Sequence, residues 1–202
     1  MNSLSSLHEN KALGLGVSLL TAFSVFGISN TAHSAVLGFQ DAYAPSNWTL
    51  TLDNSDGVVN TSNAPNSISI ISGNNGSGNL GNTDYTIKAV ADGFVSFDWS
   101  FTTQDSDGPV WDPFGYLLNG NFTQLTDNNG GLSQSGFASF NVVLGDTFGF
   151  RANTRDNLFG ASTTKIGNFS APASVPEPSL ILGLIGIGIF GTISKAKKKH
   201  SS

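Results

Sequence analysis

The chain has 202 residues, room for one ordinary domain plus addressing segments. Only 11% are charged, Gly alone accounts for 24, and the formal net charge is −5. Such a chain suits short strands joined by many turns rather than long helices, its acidic balance sets it against phosphate-rich partners such as nucleic acid, and zero Cys excludes disulfides and thiolate metal sites.

The placement of the charges says more than their sum. The 14 acidic residues are Glu9, Glu177 and twelve Asp lying between Asp41 and Asp156. His8, His33 and His200 all lie near the ends. A central region without His, Cys or Glu cannot build a serine or cysteine triad or a His-bearing zinc site, and a non-catalytic protein is expected.

The first 35 residues read as a secretory signal. Lys11 closes a weakly charged leader, Ala12 to Ile28 is mostly apolar, and Ala32-His33-Ser34-Ala35 offers small residues for cleavage after Ser34 or after Ala35. An uncleaved membrane anchor is the alternative, against which stands the short, Gly-interrupted apolar run.

Period-two alternation then sets in. Trp48, Leu50 and Leu52 are expected on one face with Thr49 and Thr51 opposite, followed by the turn cluster Asp53 to Gly57. Ile68 and Ile70 alternate with Ser67 and Ser69, and Gly73 to Gly78 breaks the pattern. The Asn/Gly/Ser-rich stretch Asn74 to Asn82 reads as a mobile loop, not a linker. Tyr85 to Val90 follows as a strand, and Val95, Phe97, Trp99 and Phe101 mark the clearest one. Phe114 to Leu118, Phe137 to Val143 and Phe148 to Ala152 are further strands, with turns at Asp127 to Gly131 and Leu144-Gly145-Asp146. Seven or more strands at this spacing predict an all-β, antiparallel β-sandwich or jelly-roll ectodomain over residues 36–170. Five Asn-x-Ser/Thr sequences, at Asn47, Asn60, Asn75, Asn121 and Asn168, are the chance product of an Asn- and Ser-rich chain.

Two features of this region suggest chemistry. Asp105-Ser106-Asp107-Gly108-Pro109 followed by Asp112 alternates carboxylates around a turn, as Ca²⁺ prefers, although no Glu closes the loop as an EF-hand requires. The same residues read equally as an ordinary Asp/Gly turn. Trp111, between Val110 and Asp112-Pro113, is the tryptophan expected to be exposed and to stack on a sugar; Trp48 and Trp99 are expected in the core. A pair of aspartates acting as a glycosidase is a weaker reading, since twelve Asp make some accidental pair.

The C-terminus has three parts in order. Residues 171–179 are Pro-rich and end in Pro176-Glu177-Pro178-Ser179, which favours extended backbone. Leu180 to Ile193 is apolar without a charge, near the lower length limit for a membrane-crossing helix, expected over 180–194. Lys195, Lys197, Lys198 and Lys199 follow at once, a basic stop that marks the cytoplasmic side and leaves the central domain outside.

Tripeptide, apolar run and basic end, together with an N-terminal signal, resemble the PEP-CTERM sorting signal of exopolysaccharide-producing Gram-negative bacteria. The resemblance implies recognition of Pro176, Glu177 and Pro178 by an exosortase, and transfer from the inner membrane to the cell surface or matrix. A plain tail anchor with an incidental tripeptide is the alternative. Ala42-Tyr43-Ala44-Pro45, Asn47-Trp48-Thr49, Phe97-Asp98-Trp99-Ser100, Asp112-Pro113-Phe114-Gly115-Tyr116 and Gly145-Asp146 with Phe148-Gly149-Phe150 are similar to ectodomains often joined to such tails. That likeness brings no established activity. The expected partners are therefore an exosortase, membrane lipid and exopolysaccharide, the last as ligand of a carbohydrate-binding, calcium-supported module if the domain binds anything.

Overall fold

A computed structural model describes residues 34–174, and the expected signal and membrane helices lie outside them. Among the described residues no helix is long and apolar enough to cross a membrane. Eleven strands succeed one another: β1 (Ser34–Leu37), β2 (Thr49–Asp53), β3 (Val58–Asn60), β4 (Ser67–Ile71), β5 (Gly81–Lys88), β6 (Gly93–Thr103), β7 (Phe114–Leu118), β8 (Asn121–Gln124), β9 (Ser133–Val142), β10 (Thr147–Thr154) and β11 (Ser162–Ala173). They form two antiparallel sheets. One has the order β3-β4-β11-β6-β9 with β1 also paired to β11, and the other β2-β5-β10-β7-β8.

The expected alternation is what faces the sheets together. On β6, Val95, Phe97, Trp99 and Phe101 point inward while Asp98, Ser100 and Thr102 are exposed. Ile68 and Ile70 from β4, Phe148 and Phe150 from β10 and Ile166 from β11 meet them. Trp48 lies at the centre, its ring parallel to Tyr85 at 4.9 Å and to Phe150 at 5.5 Å. Phe39 stacks on Phe169 at 4.6 Å. Burying each of these side chains stabilises the fold by about 1.5–3 kcal/mol.

Leu50 and Leu52 keep the expected face, opposite Tyr85 and Thr83, but are 43% and 46% exposed because β2 is an edge strand paired only with β5. Two expectations change. The loop before β5 is tied down rather than loose: Asn54 Nδ2 donates to the Leu80 carbonyl at 2.9 Å and Asn157 Nδ2 to the Asn79 carbonyl at 2.8 Å. The domain also runs past both expected ends. β11 continues to Ala173, inside the stretch read as linker, and β1 starts at Ser34, inside the stretch read as signal. The two pair antiparallel, Ser34 opposite Ala173 and Ala35 opposite Pro172. Tyr43 fastens this corner by donating its hydroxyl to the Pro172 carbonyl at 2.8 Å.

Candidate functional site

The strands give the domain two ends. β6 closes at Thr103, paired with Ser162 at the start of β11. The loops 104–113, 155–161, 72–80 and 54–57 gather at this end. The other end carries the start of β1, the end of β11 and the turns before β6 and β10.

At the first end the chain turns sharply after Thr103. The Asp107 N–H donates to Asp105 Oδ1 at 2.7 Å and the Gly108 N–H to the Asp105 carbonyl at 3.2 Å. Gly108 has φ +99°, a conformation that needs glycine. The stretch is therefore built as an Asp/Gly turn. Asp105 is 1% exposed and Asp112 fully buried, whereas Asp107 stays in solvent. Asp112 accepts the Thr103 hydroxyl at 2.5 Å and the Ser72 hydroxyl at 3.1 Å, so both its oxygens are engaged. Those hydroxyls in turn accept the N–H groups of Asp105 and Ser162. One carboxylate thus ties the ends of β4 and β6 to the start of β7.

Electrostatics follows from burial. The Asp112 carboxyl is pushed up to about 7, chiefly by loss of water; the two hydroxyls pull it down and the charges of Asp105 and Asp156 raise it further. Asp105 is also raised, first by burial, with Asp156 and Asp107 adding to it. Its Oδ2 is buried without a hydrogen-bond partner.

Of the expected calcium ligands, Asp105 and Asp112 come to one end and Asp107 turns away. Among the described residues no three His, Cys, Asp or Glu side chains gather where one ion could be held. Trp111 is half-buried; its carbonyl accepts the Arg155 N–H at 2.8 Å, docking the loop before β11. A groove of about 420 Å³ lies beside β1, bounded by Leu37, Pro65 and Asn168, far along the strands from Trp111.

Sequence reasoning missed Ser72, Thr103, Asp156 and Asn157. None stands in a motif; they matter only because four loops converge. Asn157 is fully buried at φ +58° and donates Nδ2 to the carbonyls of Asn54 and Asn79.

Ser34 and Ala35, the expected cleavage residues, are both in β1. Pro176, Glu177, Pro178 and the lysines at 195, 197, 198 and 199 lie outside the described residues. The segment beyond β11 is identified by comparison: residues 174–198 match the family model for the PEP-CTERM protein-sorting motif. The chain carries a PEP-CTERM motif.

That PEP-CTERM motif starts one residue after β11 ends. It contains Pro176, Glu177 and Pro178 and reaches Lys195, Lys197 and Lys198. No curated protein matches the chain. Among solved structures it is similar to a family 35 carbohydrate binding module from Clostridium thermocellum, at 13% identity and TM-score 0.34, over 66% of this chain and 97% of that one. It is likewise similar to the CBM35 from Cellvibrio japonicus Abf62, at 16% identity and TM-score 0.33, over 71% of this chain and all of that one. Both likenesses are too loose to define a shared site.

Proposed function

We propose that this is an exported, non-catalytic protein of the cell surface or extracellular matrix, sorted when an exosortase recognises its PEP-CTERM motif. The observation that carries the reading is the motif itself, set one residue beyond the last strand. In this reading residues 1–34 or 1–35 direct export and Leu180 to Ile193 holds the chain in the inner membrane. Lys195 to Lys199 stay on the cytoplasmic side, and Pro176-Glu177-Pro178 is presented between bilayer and domain. The non-catalytic part rests on composition: no His, Cys or Glu stands between Val36 and Ser170.

Expressing the full chain beside an exosortase tests the sorting. The wild-type tail is shortened, read as a mass loss on the exported protein, while the triple variant P176A/E177A/P178A stays full-length in the membrane fraction. Equal processing of both would overturn the role given to the tripeptide.

A second reading, polysaccharide binding, is favoured by one observation. The loop before β11 exposes Phe159 to 61% and is docked on the loop that carries the half-exposed Trp111. Aromatic faces at such a loop end can stack on sugars. Retention of the wild type on an exopolysaccharide column, lost in Trp111→Ala and Phe159→Ala, would support it; co-elution of all three would remove it.

A further inference from the structure

The two ends of the sandwich differ in chemistry, and the chain leaves from one of them. Asp53, Asp56, Asp105, Asp107, Asp112, Asp127 and Asp156 all lie at or beside the loops around the start of β11. The tail leaves from the far end of β11, roughly 35 Å away at about 3.3 Å per strand residue. That far end carries exposed apolar side chains beside Asp41, Lys88, Asp92 and Asp146. Phe94 opens β6 at 66% exposure, and Val143 and Leu144 follow β9 at 57% and 67%. Their turns are joined: the Leu144 N–H donates to Asp92 Oδ1 at 2.7 Å and the Gly145 N–H to the Ala89 carbonyl at 2.9 Å. Gly93 at the same edge faces Pro172 of β11, where an added Cβ would come within 3.0 Å.

We propose that this apolar patch is a membrane-docking surface: Phe94, Val143 and Leu144 enter the interface of the bilayer that holds the tail. The inference rests on the anchored-tail reading above. Chain length commits the occupant to lipid. From Ala173 to Leu180 is seven residue steps, so the apolar run begins within roughly 25 Å of the strand end even when fully extended. Of the acids at this end, Asp92 and Asp146 accept the backbone N–H groups of Leu144 and Val143, and Asp41 and Asp92 are exposed, as is the base Lys88. The seven aspartates at the opposite end lie several screening lengths from the headgroups and do not oppose docking. Three exposed apolar side chains at an interface add burial to the tail's own and orient the acidic loops away from the cell.

The absence of Cys makes the test direct. The full-length variants Leu144→Cys and Ser106→Cys each take one environment-sensitive fluorophore and are reconstituted in phosphatidylethanolamine/phosphatidylglycerol vesicles containing nitroxide-labelled lipid. Carbonate extraction reports separately whether the tail is inserted. The expected result is a retained protein whose label at 144 is quenched about twofold or more while the label at 106 is not. A retained protein with both labels unquenched overturns docking and leaves the anchored-tail reading standing. A blue-shifted but unquenched label at 144 assigns the patch to a second copy of the chain and also overturns it. Release by carbonate overturns both readings.

Discussion

Asp112 shows what one buried carboxyl does when no base answers it. Its folded value of about 7 lies above the ordinary 3.8, so the folded state holds the proton more tightly than the unfolded chain. The stability this confers is complete below about pH 4 and is lost as pH rises through about 7, at on the order of 1.4 kcal/mol per pH unit in that window. Melting of the domain followed from pH 4 to 8 should fall accordingly, and Asp112→Asn should flatten the slope; a profile unchanged by that substitution would contradict the assignment. Gly136 is the second informative residue. It sits opposite Trp99, and an added Cβ would lie 2.9 Å from the indole Cζ2. Gly136→Ala should cost about 1–3 kcal/mol in denaturant unfolding through overpacking, although position 136 looks solvent-facing.

At the scale of elements, the loop before β5 is held by side-chain hydrogen bonds, those of Asn157 foremost, rather than by sheet pairing. Removing Asn157 deprives the carbonyls of Asn54 and Asn79 of their buried donor and puts Ala at φ +58°. Asn157→Ala should destabilise by about 2–4 kcal/mol and raise hydrogen exchange first in residues 73–80. A uniform rise across β6 and β11 would instead mean global loosening. β11 is the longest strand and lies at the centre of its sheet, yet its alternation is the hardest to see. Ser162 and Thr164 take inward positions with hydroxyls, and the register shifts between Gly167 and Ser170, where Asn168 takes φ +47°. That bulge puts two residues, Gly167 and Asn168, instead of one between the inward Ile166 and Phe169.

For the whole molecule, the pairing of β1 with the end of β11 makes Ala171 to Ala173 part of the domain. A chain ending after Ser170 loses most of the partner of β1 and the Pro172 carbonyl that receives the Tyr43 hydroxyl. Its melting temperature should drop by at least about 5 °C relative to a chain ending after Ser174, and equal melting would return these residues to the linker. The same pairing sets Ser34 and Ala35, the expected cleavage residues, opposite Ala173 and Pro172, at the edge from which the sorting motif continues.

Composition and alternation by themselves determined the class of fold, the buried ladder of β6 and the span of β7. Short-range steric and hydrophobic patterns suffice for these, because period-two burial is written residue by residue. The sorting motif was equally legible, being a contiguous string read by another protein. Tertiary structure decided what depends on neighbours distant in the chain. It alone exposed Leu50 and Leu52 on an edge, joined Ser72 and Thr103 to Asp112 across 40 and 9 positions, and set the acidic loops at the end opposite the tail. The reason is physical: burial, edge position and local dielectric belong to the assembled sheets, and no run of residues carries them before the strands meet.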